Sequence, residues 1–206
     1  MPKYRMYWAD STRYEPTAGT MSRDRFCMLR NYLHVNNNDN MVPREHKDYD
    51  KMFKIRPFVE SLRKNFTQIE PEEHNSVDEM MIPLKSHTSM LQYVKSKSHR
   101  WGVKVFAQAE VRGKVYDFEI FVGKGTKVKD GPLGMSGRVV MRLVDNLPKH
   151  QNHKLFVDNW FASYDLPVEL KKLGIYMAGT LRKNRLAGCS LRTDASLKKV
   201  VEALIL

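Results

Sequence analysis

The chain has 206 residues, with 35 Lys and Arg against 23 Asp and Glu, a formal net charge of +12. A hydrophobic share of 42% and an aromatic share of 10% exclude a disordered chain and are ample for a buried core. No apolar run approaches the roughly 18–20 residues of a membrane span, and the charge points to a polyanionic partner, nucleic acid before an acidic membrane surface.

Residues 1–20 scatter Tyr4, Tyr7, Trp8 and Tyr14 among charges and two prolines, and read as a segment that packs on something larger. Ser22 offers a helix N-cap with Asp24 in the first turn. Phe26, Leu29 and Leu33 continue it as one apolar stripe over residues 22–33. The polar run at 36–40 stops this helix and opens a loop to about residue 50. Ile55, Val59, Leu62 and Phe66 predict a second helix over 57–67, with Pro57 tolerated only near its start.

From Asn75 the period changes to that of strands. The run SVDEMMIP predicts a strand closed by Pro83. Trp101 to Ala107 predicts a second strand with Trp101, Val103 and Val105 on one face. In VYDFEIFV, Asp117 and Glu119 alternate with Tyr116, Phe118 and Ile120, and the Arg112-Gly113-Lys114 turn joins the two strands as a hairpin. Five glycines place a loop over 123–137. A helix follows over 139–147, then a strand LFV, a helix over 166–173 stopped by Gly174, and a strand over 175–179. Three strands followed by helix, strand, helix, strand imply an α/β fold, a mixed sheet flanked by helices and preceded by a small helical segment.

Two acidic positions stand out by location. Asp78 lies inside the first strand run, and Asp158 lies where LFV ends, at a strand carboxyl end where ligands collect in open α/β sheets. Two carboxylates about 4 Å apart repel by roughly 4 kcal/mol at an effective dielectric near 20. A hard divalent cation such as Mg2+ removes that conflict. The structural alternative is that Asp78 caps a turn and Asp158 is an N-cap for the following helix. Spacing alone leaves both readings open.

The stretches MSRDRF (21–26), SVDEMMIPLKSH (76–87), YVKSKSHRWGVKVF (93–106), LFVDNWFAS (155–163) and MAGTLRKNR (177–185) together resemble the piggyBac family of DNA transposases and transposable element-derived proteins. The resemblance implies a ribonuclease-H-like core, here a partial one. It implies a helical N-terminal segment over 1–72 belonging to a DNA-binding and dimerisation region, a core over 73–199 and a divergent tail over 200–206. It places Asp78 and Asp158 on the first two catalytic, Mg2+-holding positions of a three-aspartate (DDD) motif. The third, from a stretch like GGVD, has no counterpart before Leu206, and Glu202 does not replace it. The expectation is therefore a truncated member that resembles an Mg2+-dependent strand-cleaving and strand-transferring enzyme. With its carboxylate cluster incomplete it binds Mg2+ weakly and is inactive alone. The alternative is a non-catalytic DNA-binding or protein-interaction fragment that pairs with a full-length relative. DNA is the expected partner, with a homodimer or such a heterodimer, no membrane, and a nuclear location.

The cations fit that partner. Lys95, Lys97 and Arg100 lie between Tyr93 and Trp101 with no acid among them, a pattern that suits phosphates and stacked bases. The structural alternative is a solvated hairpin loop. Lys104 is expected on the polar face of its strand near Asp78, and Arg182, Lys183 and Arg185 follow the last strand. The seven histidines show no zinc spacing. Of the two cysteines, Cys27 reads as core and Cys189 lacks an adjacent histidine base, so a reducing compartment fits.

Overall fold

A computed structural model describes residues 3–85, 88–95, 97–182 and 185, which divide into two compact units, residues 1–60 and residues 61–206. In the first unit, helix α1 (Glu15–Ala18) precedes helix α2 (Arg23–Tyr32), and Ser22 accepts a hydrogen bond from the Arg25 N–H at 3.3 Å, the cap its sequence predicts. The aromatic start of the chain packs on this helix. Phe26 lies 5.7 Å from the Tyr4 ring and 5.3 Å from Trp8, and the Trp8 indole donates to the Met21 carbonyl at 2.9 Å. The predicted stripe is used only in part, because Leu29 and Leu33 stay 45% and 75% exposed. Helix α3 (Arg56–Phe66) begins in this unit and ends in the second, and it carries Pro57 in its first turn, where a missing N–H costs no hydrogen bond.

The second unit is built on a mixed sheet. Its strands are β1 (His74–Pro83), β2 (Leu91–Tyr93), β3 (Trp101–Glu110), β4 (Val115–Ile120), β5 (Lys154–Val157) and β6 (Tyr176–Gly179). The order is β2-β3-β1-β5-β6, with β4 also paired to β3. One edge of β3 serves both β2, at Trp101 to Val103, and β4, from Val105 onward. Pairs β1–β5 and β5–β6 are parallel and the others antiparallel. Helices α4 (Met135–Leu143) and α5 (Asp165–Lys172) supply the two crossovers. Val139, Val140, Leu143, Leu166 and Leu170 bury against Val77, Phe106, Leu155 and Val157 in one core. No helix among the described residues is long and apolar enough to cross a membrane.

Three differences from the sequence reading have physical causes. Strand β2 is three residues long and shows too little alternation to be legible. Helix α4 starts at Met135, four residues early, because Gly134 serves as its N-cap with no side-chain acceptor to mark the start. Asp117 and Glu119, expected on a polar face, are buried at 1% and 4% exposure. Arg63 Nε donates to Asp117 Oδ1 at 2.6 Å, and Arg142 donates to Oδ2 at 3.1 Å. Burial pushes the Glu119 carboxyl above the ordinary carboxylate range, against the pull of the Arg63 charge.

Gly174, the predicted helix-stopping glycine, has φ +70, and a Cβ there would lie 2.4 Å from the His150 Cα. The α5–β6 turn therefore admits only glycine without rearrangement. The ion pairs at Asp117 are the more costly to break. Asp117→Ala removes the buried carboxylate that Arg63 and Arg142 share, leaving Arg63 with Glu119 at 3.6 Å, and is expected to lower unfolding free energy by about 3–5 kcal/mol, measured by chemical denaturation. A loss below about 1 kcal/mol would contradict the role of this carboxylate as the junction between α3, β4 and α4.

Candidate carboxylate site

The last register pair between the parallel strands β1 and β5 is Val77 beside Val157. The next residues are Asp78, still within β1, and Asp158, the first residue after β5. Neighbouring strands run about 4.8 Å apart, so this register sets the two aspartates at adjacent positions at the carboxyl end of β5. Val77 and Val157 face the helices, which turns Asp78 to the opposite side of the sheet. Asp78 is exposed, and one of its oxygens accepts the Glu79 N–H at 2.7 Å.

Asp158 caps the turn that follows it and not the next helix, whose N-cap is Tyr164. Its Oδ1 accepts the Trp160 N–H at 2.8 Å and the Phe161 N–H at 3.4 Å. The structural and the chemical readings of this residue are thus compatible, since one oxygen satisfies the turn. Among the described residues, no group of three or more His, Cys, Asp or Glu is arranged to hold a metal ion. Two hard oxygen donors are what the site offers.

Glu79 does not add a third. It points to the helix-covered face and pairs with Lys104 Nζ, both side chains being largely buried. Lys104 is not on the face of Asp78, where the sequence reading puts it. Its position alternates with Val103 and Val105, and the face so defined is the one carrying Phe106, Glu79 and Val77. There the ammonium lies 4.5 Å from the centroid of the Trp160 ring and 5.0 Å from that of Phe106, and these two rings stack at 5.4 Å. Trp160 and Glu79 are the parts of this arrangement that sequence reasoning does not single out. Trp160 offers one signal, since the N–H two residues after a strand-end Asp is the usual donor to that Asp side chain.

The other cations fall into two groups. Lys97 donates to the Glu79 carbonyl at 3.0 Å, which sets it beside the residue following Asp78. Lys95 and Arg100 are exposed in the β2–β3 turn, closed by the Val94 N–H on the Arg100 carbonyl at 2.8 Å. The exposed Tyr93 and Trp101 rings lie 5.0 Å apart across this hairpin. Arg182 instead donates to Asn159 Oδ1 through two nitrogens, at 3.1 and 3.0 Å. Arg185 reaches the carbonyls of Asn159, Trp160 and Ala162 at 3.2, 2.7 and 3.1 Å. Both arginines brace the turn that carries Asp158. Lys183, Cys189 and Glu202 lie outside the described residues.

Residues 1–202 match a family model described as Transposase IS4. The human PiggyBac transposable element-derived protein 3 is 30% identical over 204 residues, covering 97% of this chain and 34% of that protein. The human PiggyBac transposable element-derived protein 2 is similar to the same extent, with the same coverage. The chain thus spans about a third of the length of the curated relatives it matches. A cryo-EM structure of the piggyBac transposase synaptic complex with hairpin DNA superimposes with a TM-score of 0.75 at 20% identity, over 86% of this chain and 37% of that one. That likeness identifies the sheet and its helices as the ribonuclease-H-like type. With residues 1–202 matched by the family model, the chain belongs to the IS4-type transposase family, and the curated relatives it resembles are piggyBac transposable element-derived proteins.

Proposed function

We propose that this chain is a DNA-binding protein of transposase descent, in which Asp78 and Asp158 hold one divalent cation weakly. The observation that supports it is the β1–β5 register, which sets two carboxylates at adjacent positions with Lys97 alongside. Oxygen donors of this kind suit Mg2+ or Mn2+. Bound there, the cation would supply Lewis-acid polarisation of a phosphodiester oxygen. Asp78 and the second oxygen of Asp158 hold it, while Lys97, Lys95 and Arg100 hold the phosphate backbone. The reading is cation-assisted DNA binding, with Asp78 and Asp158 the two carboxylates on which it rests. A DNA substrate implies a nuclear location.

A second reading concerns assembly. Met28, Leu29, Tyr32 and Leu33 of α2 and its C-terminal end are exposed together, an apolar row that favours pairing with a second copy or a longer relative. Sedimentation at several concentrations tests it, and a monomer throughout would argue against a homodimer.

The two roles of Asp158 separate by substitution. Asp158→Asn keeps an oxygen for the Trp160 and Phe161 N–H groups and is expected to melt within about 0.5 kcal/mol of the parent. Asp158→Ala loses the cap and about 1 kcal/mol. Both variants, and Asp78→Asn, are expected to lose Mn2+ binding followed by electron paramagnetic resonance. Unchanged binding in Asp78→Asn would sink the cation assignment.

DNA affinity, followed by fluorescence anisotropy, is expected to fall steeply with salt. About six phosphate contacts give a slope of log K on log salt near about −5. Charge removal at Lys95 and Arg100 together is expected to reduce that slope by roughly 2. A flat salt dependence would remove the phosphate-contact reading altogether.

A further inference from the structure

Lys104 has no route to solvent phosphate comparable with that of its neighbours in the β2–β3 turn. Its side chain is only 14% exposed and that of its partner Glu79 only 16%. A lysine held this way carries the full cost of leaving water, which an ion pair at a surface does not. What it touches gives that cost a purpose. Glu79 immediately follows Asp78 in β1, and Trp160 stands two residues after Asp158 and donates its backbone N–H to that aspartate. The ammonium therefore grips the strand that carries one carboxylate and lies under the ring of the turn that carries the other.

We infer that Lys104 is a positioning residue: from the helix-covered side of the sheet, it ties Glu79 to the Trp160 ring and so fixes the separation of Asp78 and Asp158 on the other side. Phe106 completes the seat, stacked on Trp160 within reach of the same ammonium. From the opposite direction, Arg182 and Arg185 hold the Asp158 turn by its Asn159 side chain and its carbonyls. Lys104 connects that turn to β1 by a charged contact on each side. Groups that orient ligands without touching the metal commonly change metal affinity 10- to 100-fold when replaced.

The inference rests on Asp78 and Asp158 being the cation ligands, and the experiment separates the two claims. Mn2+ dissociation constants are measured by electron paramagnetic resonance on the full chain, with thermal melts alongside. The charge-neutral double variant Glu79→Gln with Lys104→Met leaves the net charge unchanged. It is expected to bind Mn2+ about 10-fold or more weakly while still melting cooperatively. Lys104→Met alone leaves a negative charge near the site, so electrostatics by itself would tighten binding. Positioning predicts weakening instead. Lys104→Arg keeps the charge and brings a planar group to the rings, and is expected to bind within about 3-fold of the parent. A double variant that binds as tightly as the parent overturns the positioning role, as does tighter binding by Lys104→Met. Parent protein that binds no Mn2+ at all overturns the carboxylate site itself.

Discussion

Because Val77 lies beside Val157 in a parallel pair, the residues that follow them leave the sheet from adjacent positions. A slip of that register by one residue would turn Asp78 into the helix-packed core and bring a valine to the open side, since successive strand positions face opposite ways. The apolar core guards against such a slip. Val77, Leu155 and Val157 are buried in the core with residues of α4 and α5, and β5 and β6 join the sheet in parallel orientation. Packing that stabilises the fold is thus the same packing that assembles the carboxylates.

Strand pairing alone leaves Asp158 at the mercy of a turn. That turn is held by its own cap, by two arginines and by an aromatic seat. The cap closes Trp160 and Phe161 onto Asp158, and the arginines take up side-chain and carbonyl oxygens of residues 159, 160 and 162. At the end of β6, a Cβ on Gly179 would fall 2.4 Å from the Val157 carbonyl, so the last strand also approaches the residue before Asp158 as closely as only glycine permits. Loops commonly place functional groups with less precision than strands do. Here a loop residue is constrained from several directions at once.

Much of this was legible in the sequence, and the limits follow from what periodicity can report. An apolar run closed by Pro83 marks β1, alternation marks β3 and β4, and the glycine after α5 marks its end, because each of these signals is local. The strand-end position of Asp158 is local too. Asp117 defeats the same reasoning, because alternation distinguishes two faces and cannot say that Arg63 and Arg142, 54 and 25 residues away, cover the face that looks polar. Lys104 fails for a related reason. Val103 and Val105 are apolar, so the intervening lysine reads as solvent-facing, yet its partners Glu79 and Trp160 arrive from elsewhere in the chain and make that face the buried one. Buried charges are set by partners remote in sequence, and a single strand carries no record of them.

The same distinction reshapes the meaning of the +12 charge. Basic residues near the carboxylates look interchangeable in the sequence, and the structure sorts them by what they already hold. Lys104 is committed to Glu79, and Arg182 and Arg185 to the turn after β5. Lys97 is tethered at the Glu79 carbonyl, where its charge stays close to Asp78. Lys95 and Arg100 remain exposed on the hairpin, beside the Tyr93 and Trp101 rings. A cation engaged with protein oxygens must give up those bonds before it serves a phosphate, whereas an exposed one exchanges only water and counterions. In the proposed function, polyanion affinity concentrates on the β2–β3 hairpin, while the arginines nearest Asp158 hold the turn that carries it.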